Sequence, residues 1–383
     1  MPHQREDLMR QVGQWDNLLA AWRKVRRNKG QGGSDGLSLS DFERDLVNRL
    51  RDIQRHLQQK TYQPHPLRAV TIPKPNHRRR VIRIPTVADR IVQQAVLNII
   101  GPRFEQRFCE CSYGFRPGKS AHQAVIAIQG VLAQGLTWVV EADLEDFFDT
   151  LDWTILLHAL GQEIPDQEVL HLIKAFLEAG LLEGQHTRAA TQGSPQGAVL
   201  SPVLANAYLH RFDMAMTAKR YRLVRYGDDF VTLHATRPEA EQAFRFGAEV
   251  LQTRLKLRLN GAKTRIVSES AQGFEFLSFR FAHGSLTPAP RATARFQAEV
   301  LQIVHTEGQR GAEPLQTRLD PLIRGWGEYF RIGRVDRLYP ELDTWIRRQL
   351  RDFPGLEHRI ASLTHVLAKR SAARVGLTTM RRA

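Results

Sequence analysis

The alternation of apolar and polar positions predicts a β-hairpin near the middle of the chain. Two apolar-rich runs, Arg222 to Tyr226 (RLVRY) and Phe230 to His234 (FVTLH), are separated only by Gly227 to Asp229. Two such runs around a short Gly-containing segment are typical of a hairpin whose tip carries the intervening side chains. A third short run, Trp138 to Ala142 (WVVEA), has strand propensity. A β-sheet is therefore predicted in this part of the chain.

Segments with apolar residues at helical spacing precede and follow these strands in the sequence, so an α+β fold is predicted. Residues 1–60 are predicted to form a helical N-terminal extension, residues 61–290 a mixed domain, and residues 291–383 a helical domain with a basic tail. Pro288 and Pro290 mark the second boundary. The individual helices predicted beyond the N-terminal extension are Val87 to Ile100, Asp166 to Ala179, Ala294 to Glu307, Pro314 to Phe330 and Leu338 to Asp352.

Acidic side chains lie at the ends of the predicted strands. Asp143 follows Trp138 to Ala142 directly, and Asp228 lies 85 positions later beside Asp229. If these strands are neighbours in one sheet, three carboxylates meet, and they repel one another unless cations such as Mg²⁺ lie between them. Two Mg²⁺ ions about 3.5–4 Å apart are the arrangement used for in-line nucleotidyl transfer. The alternative is a solvated Gly-Asp turn, which is common in proteins.

The charge of the chain indicates a polyanionic partner. The formal net charge is +15 and the isoelectric point about 10.3. Residues 61–90 contain seven Lys or Arg and one acid, and residues 291–383 contain seventeen against ten. These basic blocks flank the acidic motifs, as expected if phosphates lie on both sides of a catalytic centre. A merely soluble basic protein is the alternative.

Other features of the composition exclude several classes of protein. Two cysteines in 383 residues are too few for a disulfide framework. Neither an N-terminal apolar signal region nor a run of eighteen apolar residues occurs, so we expect no membrane partner. With 42% hydrophobic residues the chain is expected to fold, and the expected compartment is the cytoplasm.

The chain resembles the reverse transcriptases of group II introns, from about Val25 to about Leu350. Many blocks agree in the order that the family has them. They are Arg80 to Gln94 (RVIRIPTVADRIVQQ), Ser112 to Lys119 (SYGFRPGK), Thr191 to Leu209 (TQGSPQGAVLSPVLANAYL), Leu255 to Ile266 (LKLRLNGAKTRI), Phe274 to Phe281 (FEFLSFRF), Arg324 to Trp326 with Tyr329 and Phe330, and Leu342 to Ile346.

The resemblance implies a right-hand polymerase fold with fingers, palm and a helical thumb. It implies an RNA-directed DNA polymerase that uses an RNA template, a DNA or RNA primer, deoxynucleoside triphosphates and two Mg²⁺ ions. It also implies that the basic fingers and thumb bind structured intron RNA and assist its splicing and mobility.

Catalytic roles follow from the matched positions. Asp143, Asp228 and Asp229 are the predicted catalytic carboxylates and metal ligands, and the carbonyl of Leu144 is a possible further ligand. Lys263 matches a lysine that the family is proposed to use for protonating the leaving pyrophosphate. A merely solvated lysine is the alternative.

Nucleotide-binding roles follow in the same way. Lys74 and Arg80 match positions that hold the triphosphate. Phe148 matches the residue under the sugar, where a large ring leaves no room for a 2′-hydroxyl, although a core aromatic is the alternative. Gln196 and Gly197 match the segment beside the nascent base pair, where Gly permits close backbone approach.

A primer grip is predicted within Phe274 to Phe281, with Phe276, Leu277 and Ser278 as its contact residues. The alternating aromatic positions are also what any half-buried strand requires.

Gly227 departs from the family, and three alternatives to this interpretation remain. Relatives usually have Ala at the position of Gly227. The first alternative is an RNA-dependent RNA polymerase, because Tyr-Gly-Asp-Asp also occurs in that class. Those enzymes usually have a polar residue at the position of Phe148, which argues against this alternative. The second alternative is a domesticated relative in CRISPR spacer acquisition or antiphage defence. The third is an RNA-binding splicing maturase without polymerase activity.

Overall fold

The part of the chain that the structure describes is mainly helical, and besides the helices named below residues 363–368 are helical. The computed structural model describes residues 7–73, 79–183 and 186–368. The helices are α1 (Leu8–Val12), α2 (Trp15–Arg27), α3 (Leu39–Arg44), α4 (Leu46–Gln58), α5 (Val87–Glu105), α6 (Ala121–Leu132), α7 (Phe147–Thr150), α8 (Trp153–Gly161), α9 (Gln167–Glu178), α10 (Ser201–Ala218), α11 (Arg237–Glu249), α12 (Pro290–Gly308), α13 (Ala312–Phe330), α14 (Leu338–Gln349) and α15 (Leu356–Arg359). A π-helical turn, Val250–Arg254, follows α11.

Among the described residues, the strands form three sheets. The strands are β1 (Leu67–Pro73), β2 (Arg79–Ile84), β3 (Trp138–Ala142), β4 (Leu181–Glu183), β5 (His186–Arg188), β6 (Arg222–Tyr226), β7 (Asp229–His234), β8 (Arg265–Ser268), β9 (Phe274–Phe276), β10 (Phe279–Ala282) and β11 (Ser285–Pro288). The strand orders are β2-β1-β4-β5, β6-β7-β3-β8 and β11-β10-β9. In the first sheet β1 and β2 pair antiparallel, whereas β1 and β4 run parallel with Leu67 opposite Leu181. The predicted α+β class is confirmed.

The predicted hairpin is formed by β6 and β7. The two strands are neighbours in their sheet, and Gly227 and Asp228 alone connect them. Gly227 has φ +69°, a conformation open to glycine at little cost, and a glycine of positive φ at the first connecting position fits a type II′ turn. Asp229 is therefore the first residue of β7, and Asp228 lies in the turn itself.

The chain divides into two compact units that interleave along the sequence. Unit 1 comprises Met1–Ser120, Ala142–Thr232 and Glu241–Arg265, and unit 2 comprises Ala121–Glu141, Leu233–Ala240 and Ile266–Ala383. The predicted second boundary coincides with the start of α12 at Pro290. The three predicted domains otherwise stay a prediction.

Unit 1 is built around two buried helices. Residues of α5 are buried on nearly every face, as are those of α10, which is the pattern of a helix inside a core rather than at a surface. The start of α5 is fixed by Thr86, whose side chain accepts a hydrogen bond from the amide of Asp89. Apolar side chains of α1, α2, α4, α8 and α9 complete this core.

Unit 2 contains an aromatic core on a small antiparallel sheet. Phe274 and Phe281 stack with ring centroids 4.7 Å apart, and Phe279 contacts both Tyr329 and Phe330 of α13. Each such aromatic pair contributes about 0.5–1.5 kcal/mol beyond its buried area. Among the described residues of the whole chain, no helix combines the length and apolar composition that crossing a bilayer requires.

Candidate active site

Asp143 is held by backbone pairing with the segment 258–260. The amide of Asn260 donates to the carbonyl of Asp143 at 2.8 Å, and the amide of Glu145 donates to the carbonyl of Arg258 at 2.9 Å. Between them Leu144, which is buried, forms an antiparallel bridge with Leu259. This pairing fixes the backbone that carries the Asp143 side chain. The role of the Leu144 carbonyl as a metal ligand stays a prediction.

The carboxyl group of Asp229 interacts with those of Asp143 and Asp228 within unit 1. Desolvation raises the pKa of the Asp229 carboxyl to about 7, and the hydrogen bond to Asp143 and the negative charges of Asp228 and Asp143 act in the same direction. Asp229 is exposed to solvent. We therefore attribute more of its raised pKa to its acidic neighbours than to burial. Acidic groups 86 positions apart in sequence therefore interact in the folded chain, and their mutual repulsion favours the neutral form of Asp229.

Lys263 balances part of this negative charge. Its Nζ lies 2.6 Å from Oδ2 of Asp143, and this hydrogen bond raises the pKa of the Lys263 ammonium group. The Nδ2 atom of Asn260 lies 3.5 Å from the same oxygen. The structure thus brings Lys263 to the predicted catalytic carboxylates, with Asn260 as a further polar neighbour that the sequence did not reveal.

The chemistry of these donors fits a divalent cation. Within residues 7–73, 79–183 and 186–368, no three His, Cys, Asp or Glu side chains are arranged closely enough to hold a metal ion. The ammonium group of Lys263 offsets part of the negative charge of Asp143, Asp228 and Asp229. Carboxylate oxygens are the ligands that Mg²⁺ prefers, so the donor atoms of these residues suit such a cation.

A buried ion pair connects the hairpin to helix α10. Arg225, the penultimate residue of β6, is fully buried and donates two hydrogen bonds to the fully buried Asp213 of α10, at 2.7 and 2.5 Å. Its Nη1 donates to the carbonyl of Gly227 at 2.8 Å and to Asn206 at 2.9 Å. The only signal in the sequence was a charged residue inside an apolar strand run. Arg225 therefore fixes the backbone next to Asp228.

Phe148 lies beside the TQGSP segment. It is half-buried and packs against the core of unit 1, with the ring of Phe147 at 5.2 Å. Its carbonyl accepts a hydrogen bond from the amide of Ser194 at 2.7 Å. The structure thus connects the block around Phe148 with the segment that contains Gln196 and Gly197.

Gln196 and Gly197 contact strand β2. The amide of Arg83 donates to the carbonyl of Gln196 at 2.9 Å. A Cβ atom on Gly197 would lie 2.9 Å from Cγ2 of Ile82, so glycine is needed for this close approach. Their predicted role at the nascent base pair stays a prediction.

The structure describes only part of the two residues predicted to bind the triphosphate. Lys74 lies outside the described residues, and of Arg80 the structure describes the backbone in β2 but not the side chain. Nearby, Arg83 forms an ion pair with Asp149, with Nη1 2.6 Å from Oδ1. This pair, which the sequence analysis did not single out, joins β2 to the end of α7.

The predicted primer grip is the turn between β9 and β10 in unit 2. Phe276 is buried in the aromatic core, Leu277 is half-buried and Ser278 is exposed. Leu277 and Ser278 both have positive φ, at +50° and +65°, which is unusual for residues other than glycine. Tyr329 donates its hydroxyl to the carbonyl of Leu277 at 2.9 Å. Backbone strain of this kind often accompanies functional turns.

We expect Gly227→Ala to destabilise the protein by about 1–2 kcal/mol. The methyl group would be attached at φ +69° and would lie 3.1 Å from the ring of Phe115. Urea unfolding measures the loss. Gly130→Ala is the matched control, because Gly130 lies in α6 with open space around it, and there alanine is expected to stabilise by up to about 1 kcal/mol. Equal stability of Gly227→Ala and the unchanged protein would contradict the interpretation of this turn.

Two family models match the chain. The model described as reverse transcriptase (RNA-dependent DNA polymerase) matches residues 72–281, and the model described as the group II intron maturase-specific domain matches residues 293–370. The first match covers more than half of the chain and contains every catalytic, metal-binding, nucleotide-binding and primer-grip residue predicted from the sequence.

Individual relatives agree with these models. The chain is 34% identical over 313 residues to protein YkfC of Escherichia coli K12, a match that covers 71% of this chain and 82% of YkfC. It is 33% identical over 218 residues to the group II intron-encoded protein LtrA of Lactococcus lactis subsp. cremoris, covering 57% of this chain and 36% of LtrA. The chain therefore spans most of YkfC but only about a third of LtrA.

Solved structures also show similarity. A partial Cas6-RT-Cas1–Cas2 complex matches with a TM-score of 0.40 and 25% identity, over 63% of this chain and 42% of that chain. Telomerase from Candida albicans in complex with a telomeric RNA fragment matches with a TM-score of 0.48 and 12% identity, over 79% of this chain and 66% of that chain. Both TM-scores are below 0.5, so neither likeness carries a functional conclusion.

Proposed function

Because this chain belongs to the reverse transcriptase family and carries a group II intron maturase-specific domain, we propose that it is an RNA-directed DNA polymerase that copies RNA into complementary DNA. The right-hand polymerase fold expected from the sequence accords with this family. The template would be RNA, the primer DNA or RNA, and the substrates deoxynucleoside triphosphates.

The observation that carries the proposal is the cluster of Asp143, Asp228, Asp229 and Lys263. These residues come from three separate sequence blocks, yet Nζ of Lys263 lies 2.6 Å from Oδ2 of Asp143, and the negative charges of Asp143 and Asp228 act on Asp229. Asp143, Asp228 and Asp229 would hold two Mg²⁺ ions, which when bound lower the pKa of the attacking 3′-hydroxyl and stabilise the leaving pyrophosphate.

Lys263 is a candidate general acid in this arrangement. Its ammonium group bonds Asp143 in the structure. We propose that this ammonium group donates a proton to the leaving pyrophosphate oxygen. The neutral amine it leaves behind would recover the proton from solvent.

Primer extension on an RNA template tests the proposed function. The reaction contains Mg²⁺ and either the four deoxynucleoside or the four ribonucleoside triphosphates, and we expect extension with the former. Predominant use of ribonucleotides would instead support an RNA-dependent RNA polymerase. Absence of extension with both, from protein that binds the RNA, would support a splicing maturase without polymerase activity.

Phe148→Ala is expected to relax sugar discrimination by about ten- to a hundredfold, because the ring excludes a 2′-hydroxyl from the sugar site. The measured quantity is the ratio of kcat/KM for a deoxynucleotide to that for the matching ribonucleotide. Thermal unfolding of the variant is measured as well, because Phe148 also packs against the core and its loss could lower stability. An unchanged ratio in a folded variant would mean that the ring serves packing alone.

The maturase-specific domain favours a second function on the same chain, binding of structured intron RNA to assist its splicing. The surplus of basic residues in 291–383 suits a phosphate-rich partner, and recognition would rely on backbone, 2′-hydroxyl groups and shape. This function does not need the carboxylates. RNA binding and in vitro splicing by Asp228→Asn therefore separate it from polymerase activity, and the expected compartment for both is the cytoplasm.

A further inference from the structure

Phe115 places an exposed aromatic ring beside the catalytic turn. The residue is 50% exposed, an unusual state for a phenylalanine in a chain with a large core. Its ring lies 3.1 Å from the position that a Cβ atom on Gly227 would occupy, and its centroid is 6.4 Å from that of Tyr226. The next residue along the chain from Gly227 is Asp228. The ring and the carboxylates therefore share one small region of unit 1.

The backbone of Phe115 is strained but firmly held. Its φ of +60° is unfavourable for any residue with a Cβ atom. Two neighbours are fixed by the network that also supports the hairpin, since the amide of Tyr113 donates to the carbonyl of Arg225 at 2.8 Å and Asn206 donates to the carbonyl of Gly114 at 2.9 Å.

The residue after Phe115 completes this anchoring. Arg116 is buried, bonds Glu105 through Nε and Nη2, and donates from Nη1 to the carbonyl of Ser112 at 2.8 Å. The backbone is thus fixed on both sides of Phe115, while the Phe115 ring itself stays half exposed to solvent. Strain of this kind persists when the surroundings determine the conformation, and it concentrates where a ligand is bound.

We propose that the ring of Phe115 packs against the 3′-terminal nucleotides of the primer strand. This inference rests on the proposed function, which brings the primer 3′-hydroxyl to Asp143 and Asp228. Successive nucleotides of one strand in a duplex are about 3.4 Å apart, so a ring beside Gly227 is within reach of the last one or two. An aromatic ring contacts the faces of sugars and bases without regard to sequence, as a polymerase needs.

Phe115 lies against Gly227. A methyl group on residue 227 would lie 3.1 Å from the ring, so the ring and the turn are in close contact. The exposed ring would then help to fix the primer end next to the metal ligands.

Photocrosslinking tests the contact directly. Phe115→p-benzoylphenylalanine is made in the full chain carrying Asp228→Asn and is irradiated with a DNA primer annealed to an RNA template. We expect crosslinks to the last two primer nucleotides. Met214→p-benzoylphenylalanine is the matched control, because Met214 lies in the same unit and is 53% exposed. Crosslinks confined to the template strand, or no stronger than those of the control, would overturn the proposal.

Phe115→Gly separates binding from folding. Glycine adopts φ +60° without strain, so the melting temperature is expected to stay equal or rise, while the Kd for the primer–template duplex rises about tenfold. An unchanged Kd would count against the contact. Both measurements work without turnover. If the unchanged protein extends no primer but the crosslinks appear as expected, the proposed polymerase activity fails while the nucleic-acid contact of Phe115 stands.

Discussion

Asp228→Asn is expected to lower the rate of primer extension by at least about 10³-fold, because a predicted metal ligand loses its charge and several kcal/mol of transition-state stabilisation disappear. Asn has nearly the same volume as Asp, so the fold should be retained. The change also removes a negative charge that raises the pKa of Asp229. Single-turnover extension on an RNA template measures the effect.

Asp146→Asn is the control for this variant. Asp146 belongs to the same acid-rich block as Asp143, and it has φ +42°, a conformation that Asn tolerates well. The same loss of charge and the same change of atoms are made there without touching a predicted ligand. We expect activity within about twofold of the unchanged protein. Equal losses in the two variants would mean that general acidity, rather than ligation, determines activity.

The sequence predicted the elements of the site well because its signals were local. The hairpin follows from two apolar runs around a glycine, and β6 and β7 lie where those runs are. Helix α5 was predicted to end at Ile100 but continues to Glu105. Gly101 and Pro102 are poor helix formers, whereas burial of Phe104 in the core of unit 1 favours continuation. Tertiary packing overrides local propensity in such cases.

The contacts between distant side chains could not be predicted in the same way. The three carboxylates were expected to meet only if the strands were neighbours, and the order β7-β3 fulfils that condition. Nothing in the sequence indicated that Lys263 would bond Asp143, or that Asp149 would pair with Arg83. Such pairs depend on how separate elements pack against one another, and the periodicity of apolar residues within one element carries no information about that packing.

Arg225→Met is expected to destabilise the protein by about 3–5 kcal/mol, because it leaves Asp213 buried and without its cation. The pair is fully buried, and both of its bonds are 2.7 Å or shorter. Urea unfolding measures the loss. Arg26→Met is the matched control, since Arg26 pairs with Glu43 at 3.0 Å on an exposed surface, where an ion pair contributes at most about 1 kcal/mol.

The double variant Arg225→Met with Asp213→Leu separates the two roles of this arginine. Replacing both partners by apolar side chains of similar size is expected to restore most of the stability, because no charge is left buried without its partner. The carbonyl of Gly227 still loses the donor that lies 2.8 Å away, so the turn carrying Asp228 becomes less well fixed. We therefore expect primer extension to stay at least about tenfold below the unchanged protein, since small displacements of reacting groups are costly. Recovery of both stability and activity would show that Arg225 serves folding alone.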